Sequence, residues 1–108
     1  VSNFAQGMLV QLPLHLEDLP TKPLMSDLHD ALAAHYAKTN QSEQWVKVLP
    51  PTDDNKLAAD TLANTNNLEI RVFGNEQLRQ AVVIARLDNL GKGASGAAVQ
   101  NLKLMLGL

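Results

Sequence analysis

Cysteine is absent from this chain of 108 residues, which excludes a disulfide framework, a thiolate zinc site and a cysteine nucleophile within it. Aromatic residues are scarce at 4%, so any core has to be built from Leu, Val, Ile and Ala. No apolar run approaches the length that spans a bilayer, and no basic-then-apolar signal segment is present. We therefore expect no membrane partner and a cytoplasmic setting.

The chain also lacks an excess of positive charge, with 9 Lys and Arg residues against 11 Asp and Glu residues. The formal net charge is −2 and the calculated isoelectric point is about 5.8, without clustering of Lys and Arg, so a nucleic-acid partner is not expected. The length fits one small domain. The chain starts with Val1 rather than Met and finishes on Leu106-Gly107-Leu108 without a polar tail, so we expect an excised domain.

The first half of the chain alternates between strand and helix signals. Apolar residues at every second position predict a half-buried strand over residues 8–16, and Pro13 places it at a sheet edge or a bulge. Ser26 is a suitable N-cap for a helix over residues 26–38. A short strand is predicted over residues 45–49.

The second half begins with a polar loop over residues 52–67 that holds a weak helical stretch at 55–62. Strands are predicted over residues 68–73 and 79–87, joined by a hairpin turn at 74–76. A helix follows Gly93, with Ala and Leu at helical spacing. The order β-α-β-loop-β-β-α predicts an α+β fold, in which helices cover a mostly antiparallel or mixed sheet.

Metal and carboxylate chemistry find little support in the residue pattern. His29 and His35 are six positions apart on the predicted helix, which does not put them on one face, and His15 lies on a strand. The adjacent Asp53 and Asp54 fall in the polar loop without fixed geometry. No metal site is therefore expected.

A glycine-rich segment over residues 88–101 stands apart from the rest. Gly91, Gly93 and Gly96 surround a helix start, where backbone amides favour anions and a ligand can approach closely. The same small residues also allow a helix to pack tightly on a neighbour. The segment matches neither a Walker loop nor a dinucleotide fingerprint, so both interpretations stay open.

The same segment carries a family resemblance. The sequence from Asp88 to Ala94, followed by Ala98-Val99-Gln100-Asn101, resembles the C-terminal signature of the semialdehyde dehydrogenases. Residues 3–10, Asn-Phe-Ala-Gln-Gly-Met-Leu-Val, look like a segment of the N-acetyl-gamma-glutamyl-phosphate reductase branch, and residues 101–108 are similar to the end of that branch. Aspartate-semialdehyde dehydrogenase is the alternative branch.

The resemblance implies a two-domain enzyme of arginine biosynthesis. In such enzymes a Rossmann domain holds NADPH, and a sheet-rich domain supplies substrate contacts and the dimer interface. A cysteine attacks the acyl phosphate and releases phosphate, and hydride from NADPH then reduces the resulting thioester to the aldehyde. A histidine assists the proton transfers. This chain has neither the cysteine motif nor the nucleotide loop, and its histidines do not match, so no catalytic residue is carried over and the fragment alone is expected to be inactive.

The resemblance also divides the chain. Residues 1–87 correspond to part of the dimerisation and substrate domain, and residues 88–108 to the C-terminal helix that packs on the Rossmann domain near the nicotinamide. The matching cofactor-contact positions are Asn89, Leu90, Lys92, Gly93 and Ala94, with Asn89 as the best polar candidate. Gly91 departs from relatives with a larger residue there, which is expected to loosen the turn. A non-enzymatic module that self-associates through its sheet is the remaining alternative.

Overall fold

The described part of the chain, residues 2–37 and 45–108 of a computed structural model, forms a four-stranded mixed sheet and two α-helices. The strands are β1 (Met8–His15), β2 (Val46–Val48), β3 (Leu68–Asn75) and β4 (Gln80–Leu87). The helices are α1 (Met25–Ala37) and α2 (Gly96–Leu106), with a 3-10 turn at Leu16–Asp18 and a π-helical turn at Gly91–Ser95. The predicted α+β class and element order are confirmed.

The strand order is β1-β4-β3-β2. β4 pairs antiparallel with both β1 and β3, whereas β2 pairs parallel with β3. Parallel neighbours need a long connection, and the polar segment between β2 and β3 is that crossover. β1 lies at the edge of the sheet, as Pro13 predicted, because an edge strand tolerates a missing N–H donor.

The core lies between α1 and one face of the central strands. α1 contacts β2 and β3, and the inward residues Ile70, Val72 and Ala81 are buried. Beyond the helix, the same face stays open on β1, where the side chains of Val10 and Leu12 are 50% and 57% exposed. The sheet is therefore covered on only part of this face.

The opposite face meets the crossover. Arg86 pairs with Glu69 across the β3–β4 ladder at 2.5 Å, and its guanidinium also donates to the Ala58 carbonyl and the Thr61 hydroxyl. Leu62 of the same segment is buried. These contacts hold the crossover on the sheet in turns rather than as a helix, so the weak helical stretch predicted at 55–62 does not form.

The start of α1 differs from the prediction. The helix begins at Met25, so Ser26 lies inside its first turn and is not the N-cap. The carboxylate of Asp27 accepts the Leu24 N–H at 2.8 Å, and Glu76 accepts the Met25 N–H at 2.6 Å. Acidic side chains, one of them from the β3–β4 turn, thus satisfy the amides at this helix start. The predicted helix end at residue 38 lies outside the described residues.

The β3–β4 turn lies later in the chain than expected. Gly74 and Asn75 belong to β3, and the turn spans residues 76–79. Arg79 closes it with a positive φ of 52° and extends its guanidinium to Glu17, Glu76 and the carbonyls of Lys22 and Pro23. The predicted turn at residues 74–76 was wrong because pairing with β4 extends β3 to Asn75.

Candidate cofactor-contact site

Asp88 follows β4 directly and is buried, with 1% of its surface exposed. One carboxylate oxygen accepts the N–H groups of Leu90 and Gly91 at 2.8 and 3.0 Å. The other accepts the Asn64 N–H and the side-chain amide of Gln6, each at 2.6 Å. The carboxylate therefore joins the segment before β1, the crossover and the C-terminal segment.

These donors explain the ionisation of Asp88. Chiefly the N–H of Gly91, and then those of Leu90 and Asn64 with the Gln6 amide, hold the pKa of the carboxyl below its usual range. Burial acts in the opposite direction. The hydrogen bonds outweigh it because they favour the charged form, so Asp88 is ionised at neutral pH.

Asn89 is fixed by a different contact. Its side-chain oxygen accepts the backbone N–H of Gly7 at 2.8 Å. Since a backbone amide can only donate, the oxygen of Asn89 has to face Gly7 and its NH₂ group faces away. Among residues 2–37 and 45–108, no acceptor is hydrogen-bonded to that NH₂ group. The half-buried Asn89 therefore presents a donor to its surroundings.

The remaining sequence-predicted cofactor positions lie together in the turn that leads into α2. Leu90 is 55% exposed and Ala94 is exposed, whereas the Gly93 N–H donates to the Asp88 carbonyl at 2.9 Å. Lys92 is half-buried and donates to the Gln100 side chain. Burial lowers the pKa of Lys92.

The start of this helical region does not offer its first amides to a ligand. The Leu90 and Gly91 N–H groups face the carboxylate of Asp88, so the chain supplies its own anion at the site. An internal carboxylate there opposes a second negative group through like-charge repulsion. The arrangement suits an uncharged polar ligand group better than a phosphate.

Gly91 is required by close packing. A Cβ on Gly91 would lie 2.6 Å from the carbonyl oxygen of Thr65, well inside contact distance. The Gly91 amide also belongs to the Asp88 cluster. Gly91 therefore tightens the turn against the crossover, and the expectation that it loosens the turn was wrong.

A cavity of about 280 Å³ lies beside this turn, between the crossover end and α2. Asn66 contributes a buried side-chain oxygen that has no partner in the described part of the chain. α2 itself leaves the sheet: Leu104 and Met105 are 69% and 84% exposed. The cavity wall on the α2 side is thus formed by a helix that, among the described residues, contacts mainly the turn before it.

The histidines do not converge with this site. His15 is exposed on β1, and His29 contacts the Leu49 carbonyl and Asp30. The described residues contain no group of three potential metal-ligating side chains.

A separate finding concerns the helices of residues 2–37 and 45–108. None of them combines the length and the apolar character that a transmembrane span requires.

Sequence reasoning missed the residues that organise the site. Asp88 entered only as part of a motif, and Gln6 and Asn64 were not singled out. The local signal for Asp88 was present, because an Asp that precedes a turn often accepts the amides two and three residues on. No local signal identifies Gln6 or Asn64, which come from distant segments.

One family model matches most of the chain. The model for the dimerisation domain of semialdehyde dehydrogenases matches residues 1–89, from the segment before β1 to Asn89. The chain belongs to the semialdehyde dehydrogenase dimerisation-domain family. Residues 90–108, including α2, lie beyond the matched range.

Individual relatives agree with this family. The chain is 47% identical to N-acetyl-gamma-glutamyl-phosphate reductase 2 of Nostoc sp. over 114 aligned positions, which cover 100% of the chain and 34% of that protein. It is 49% identical to N-acetyl-gamma-glutamyl-phosphate reductase of Rhizobium etli over 98% of the chain and 34% of the relative. The predicted resemblance is confirmed, and the chain spans about a third of the length of these relatives.

Proposed function

We propose that this chain is the C-terminal part of an NADP-dependent reductase that converts N-acetyl-glutamyl 5-phosphate to N-acetyl-glutamate 5-semialdehyde in cytoplasmic arginine biosynthesis. The orientation of Asn89 carries the proposal, since the contact with Gly7 leaves its NH₂ group as an outward donor at the start of the C-terminal segment. The similarity to reductases over the whole chain supports the substrate class.

The proposed cofactor-contact surface consists of Asn89, Leu90, Lys92, Gly93 and Ala94. Asn89 donates to an acceptor on an uncharged part of NADPH, and Leu90 provides an exposed apolar contact beside it. Because Asp88 occupies the first helix amides, this surface does not bind the cofactor phosphates. When bound, NADPH supplies the hydride for the reduction.

The open sheet face supports a second part of the proposal. Val10 and Leu12 form an exposed apolar stripe on β1, next to the region that α1 covers. Burying such a stripe is favourable in proportion to its apolar area. We propose that it contributes to a homo-oligomeric interface.

α2 completes the proposal. Its apolar residues are exposed and, within residues 2–37 and 45–108, the helix contacts mainly the turn before it, so residues 88–108 are proposed to dock on the nucleotide-binding domain of the same reductase. Residues 1–87 then belong to the dimerisation and substrate domain. Without a cysteine nucleophile the chain alone has no reductase activity.

A graft tests the proposed reaction. This chain replaces the aligned third of the Nostoc reductase, and NADPH oxidation is followed with N-acetyl-glutamyl phosphate and, separately, with aspartyl phosphate. Turnover of the first substrate supports the proposal, whereas preference for aspartyl phosphate supports the alternative enzyme of the family. A folded graft without either activity contradicts the proposal.

Substitutions in the active graft then test the cofactor contact. Asn89→Ala is expected to raise the KM for NADPH roughly threefold to tenfold, which is the effect of one neutral hydrogen bond. Gln11→Ala, on the exposed part of β1, serves as the control. Unchanged kinetics in Asn89→Ala would remove Asn89 from the cofactor surface.

The self-associating module is distinguished by the isolated chain. Light scattering coupled to gel filtration gives its mass, and Leu12→Lys is expected to shift an oligomer toward monomer. Oligomerisation together with an inactive graft would favour the non-enzymatic module.

A further inference from the structure

We propose that Asp88, together with Gln6, is a positioning residue that holds Asn89 in its donor-outward orientation. The juxtaposition has two adjacent parts: the carboxylate of Asp88 accepts from Gln6, and the oxygen of the next residue, Asn89, accepts from the residue after Gln6, Gly7. Two neighbouring residues before β1 thus contact two neighbouring residues after β4.

The Gln6 side chain extends this connection to the crossover. Its amide NH₂ donates to Asp88 at 2.6 Å and to the Asn64 side-chain oxygen at 2.9 Å. The Asn64 N–H in turn donates to Asp88, and Asn64 adopts a positive φ of 63°. The segment before β1 therefore cannot shift without breaking the charge-assisted Gln6–Asp88 hydrogen bond and the neutral hydrogen bonds to Asn64 and Asn89.

Gly7 transmits the position to Asn89. Its φ of 139° is one that other residues rarely adopt, and a Cβ there would lie 2.5 Å from the Ala59 carbonyl oxygen. The Gly7 N–H is therefore aimed by a backbone conformation that depends on close packing against the crossover. Since Gln6 immediately precedes Gly7, its contact with Asp88 sets where that N–H points.

The other carboxylate oxygen of Asp88, which does not contact Gln6, accepts hydrogen bonds from the turn after Asn89. The Leu90 and Gly91 amides donate to the same carboxylate oxygen, which fixes the backbone on the C-terminal side of Asn89. Asn89 is therefore held through its side chain by Gly7 and through its backbone by Asp88. This inference rests on the proposed function only where it concerns the cofactor; the positioning itself is a property of this chain.

The first measurement is NMR-detected exchange of the Gly7 amide in the 108-residue chain. Asp88→Asn keeps the shape of the side chain but replaces one carboxylate oxygen with an NH₂ group, which cannot accept a hydrogen bond. The hydrogen bonds from Gln6 and Asn64, or those from Leu90 and Gly91, are then lost. Loss of the Gly7–Asn89 contact is expected to speed Gly7 exchange about fivefold relative to amides of the β3–β4 ladder. Asp53→Asn, in an exposed part of the crossover, is the matched control.

Gln6→Ala is the second variant, in case Asp88→Asn does not fold. It removes one donor from the cluster and leaves the carboxylate with its backbone partners, so selective acceleration at Gly7 is again expected. Gly7 exchange that is unchanged in the folded variants, or that rises only in step with the ladder amides, overturns the positioning role.

Kinetics in the graft connect positioning to the cofactor. Asp88→Asn is expected to raise the KM for NADPH about as much as Asn89→Ala does, with kcat changed by less than about threefold. The variant that combines Asp88→Asn with Asn89→Ala is expected to have a KM no higher than that of either single variant. Additive effects contradict positioning through Asn89. If Asn89→Ala leaves KM unchanged while Asp88→Asn still frees Gly7, the proposed cofactor contact fails and the positioning role stands.

Discussion

The side-chain oxygen of Asn89 accepts the backbone N–H of Gly7 across 82 residues of sequence, at 2.8 Å. This contact determines which end of the Asn89 amide faces outward, because a backbone amide has no acceptor to offer. A residue that sequence comparison marks only as polar is thereby specified as a hydrogen-bond donor.

The ionisation of Asp88 leads to a pH-dependent prediction. Hydrogen bonds hold its folded-state pKa below the ordinary value of 3.8, so its contribution to stability is present above that value and is lost as pH falls through the folded pKa. Urea unfolding should show a large stability gap between the natural chain and Asp88→Asn at about pH 7. The gap should start to narrow as pH falls below the ordinary value of 3.8 and should close as pH passes through the lower folded-state pKa. A gap that is independent of pH would contradict the ionised cluster.

Close packing at Gly91 predicts a contrast between two glycines of the same turn. Gly91→Ala is expected to cost about 1–3 kcal/mol of unfolding free energy, because its Cβ would meet the Thr65 carbonyl oxygen at 2.6 Å. Gly93→Ala is the control, since its Cβ would have only ordinary contacts from 3.4 Å outward. Thermal unfolding that ranks Gly93→Ala as the less stable variant would be inconsistent with this packing.

The Arg86–Glu69 pair predicts a cost for removing one charge. The two side chains are 11% and 18% exposed, so Glu69→Gln leaves a largely buried guanidinium without its counterion and should cost about 3 kcal/mol. Lys22→Gln is the comparison, because Lys22 and Glu17 form a pair that is mostly exposed and screened by solvent. Denaturant titration of both variants tests the ranking, and equal losses would argue against it.

Burial distinguishes two apolar residues outside the strands. Leu62 is 8% exposed and Met105 is 84% exposed. Leu62→Ala should destabilise the isolated chain by about 2–5 kcal/mol. Met105→Ala should change its stability by less than about 0.5 kcal/mol. A large loss in Met105→Ala would mean that α2 packs on this chain after all.

In the grafted reductase, unlike in the isolated chain, substitution of Met105 should lower stability. If α2 docks on the nucleotide-binding domain, Met105→Glu buries a charge there and should lower the melting temperature of the graft. The same substitution in the isolated chain should have little effect. Equal melting temperatures for the graft with and without Met105→Glu would contradict the docking of α2.

Local patterns predicted most of the elements but not all of their ends. The alternation in β1 predicted the strand, and the proline at position 13 limited its place to a sheet edge or a bulge, because side-chain period and donor loss are local properties. The start of α1 was placed at Ser26, whereas Asp27 and Glu76 accept the amides at this helix start. Glu76 comes from the β3–β4 turn, so no window around the helix could identify it.

The candidate site shows the same division. The contiguous segment from Asp88 to Ala94 could be identified from its residues because a motif is a local feature. The roles of Gln6 and Asn64 could not, since neither carries a pattern that indicates a partner. Their contacts with Asp88 exist only after β1 and the crossover are placed beside the end of β4.

The sequence by itself determined the α+β class and the order of the elements, because periodicity and turn residues are local properties of the chain. The family was recognised from the resemblance of residues 3–10 and 88–108 to known motifs. Only the tertiary structure decided that β2 runs parallel to β3, that Asp88 is the buried centre of the site and that Asn89 faces outward as a donor. Each of these depends on groups far apart in sequence. Hydrogen bonding and burial depend on which groups are close in the folded chain, and the pairing of the strands determines which groups are close.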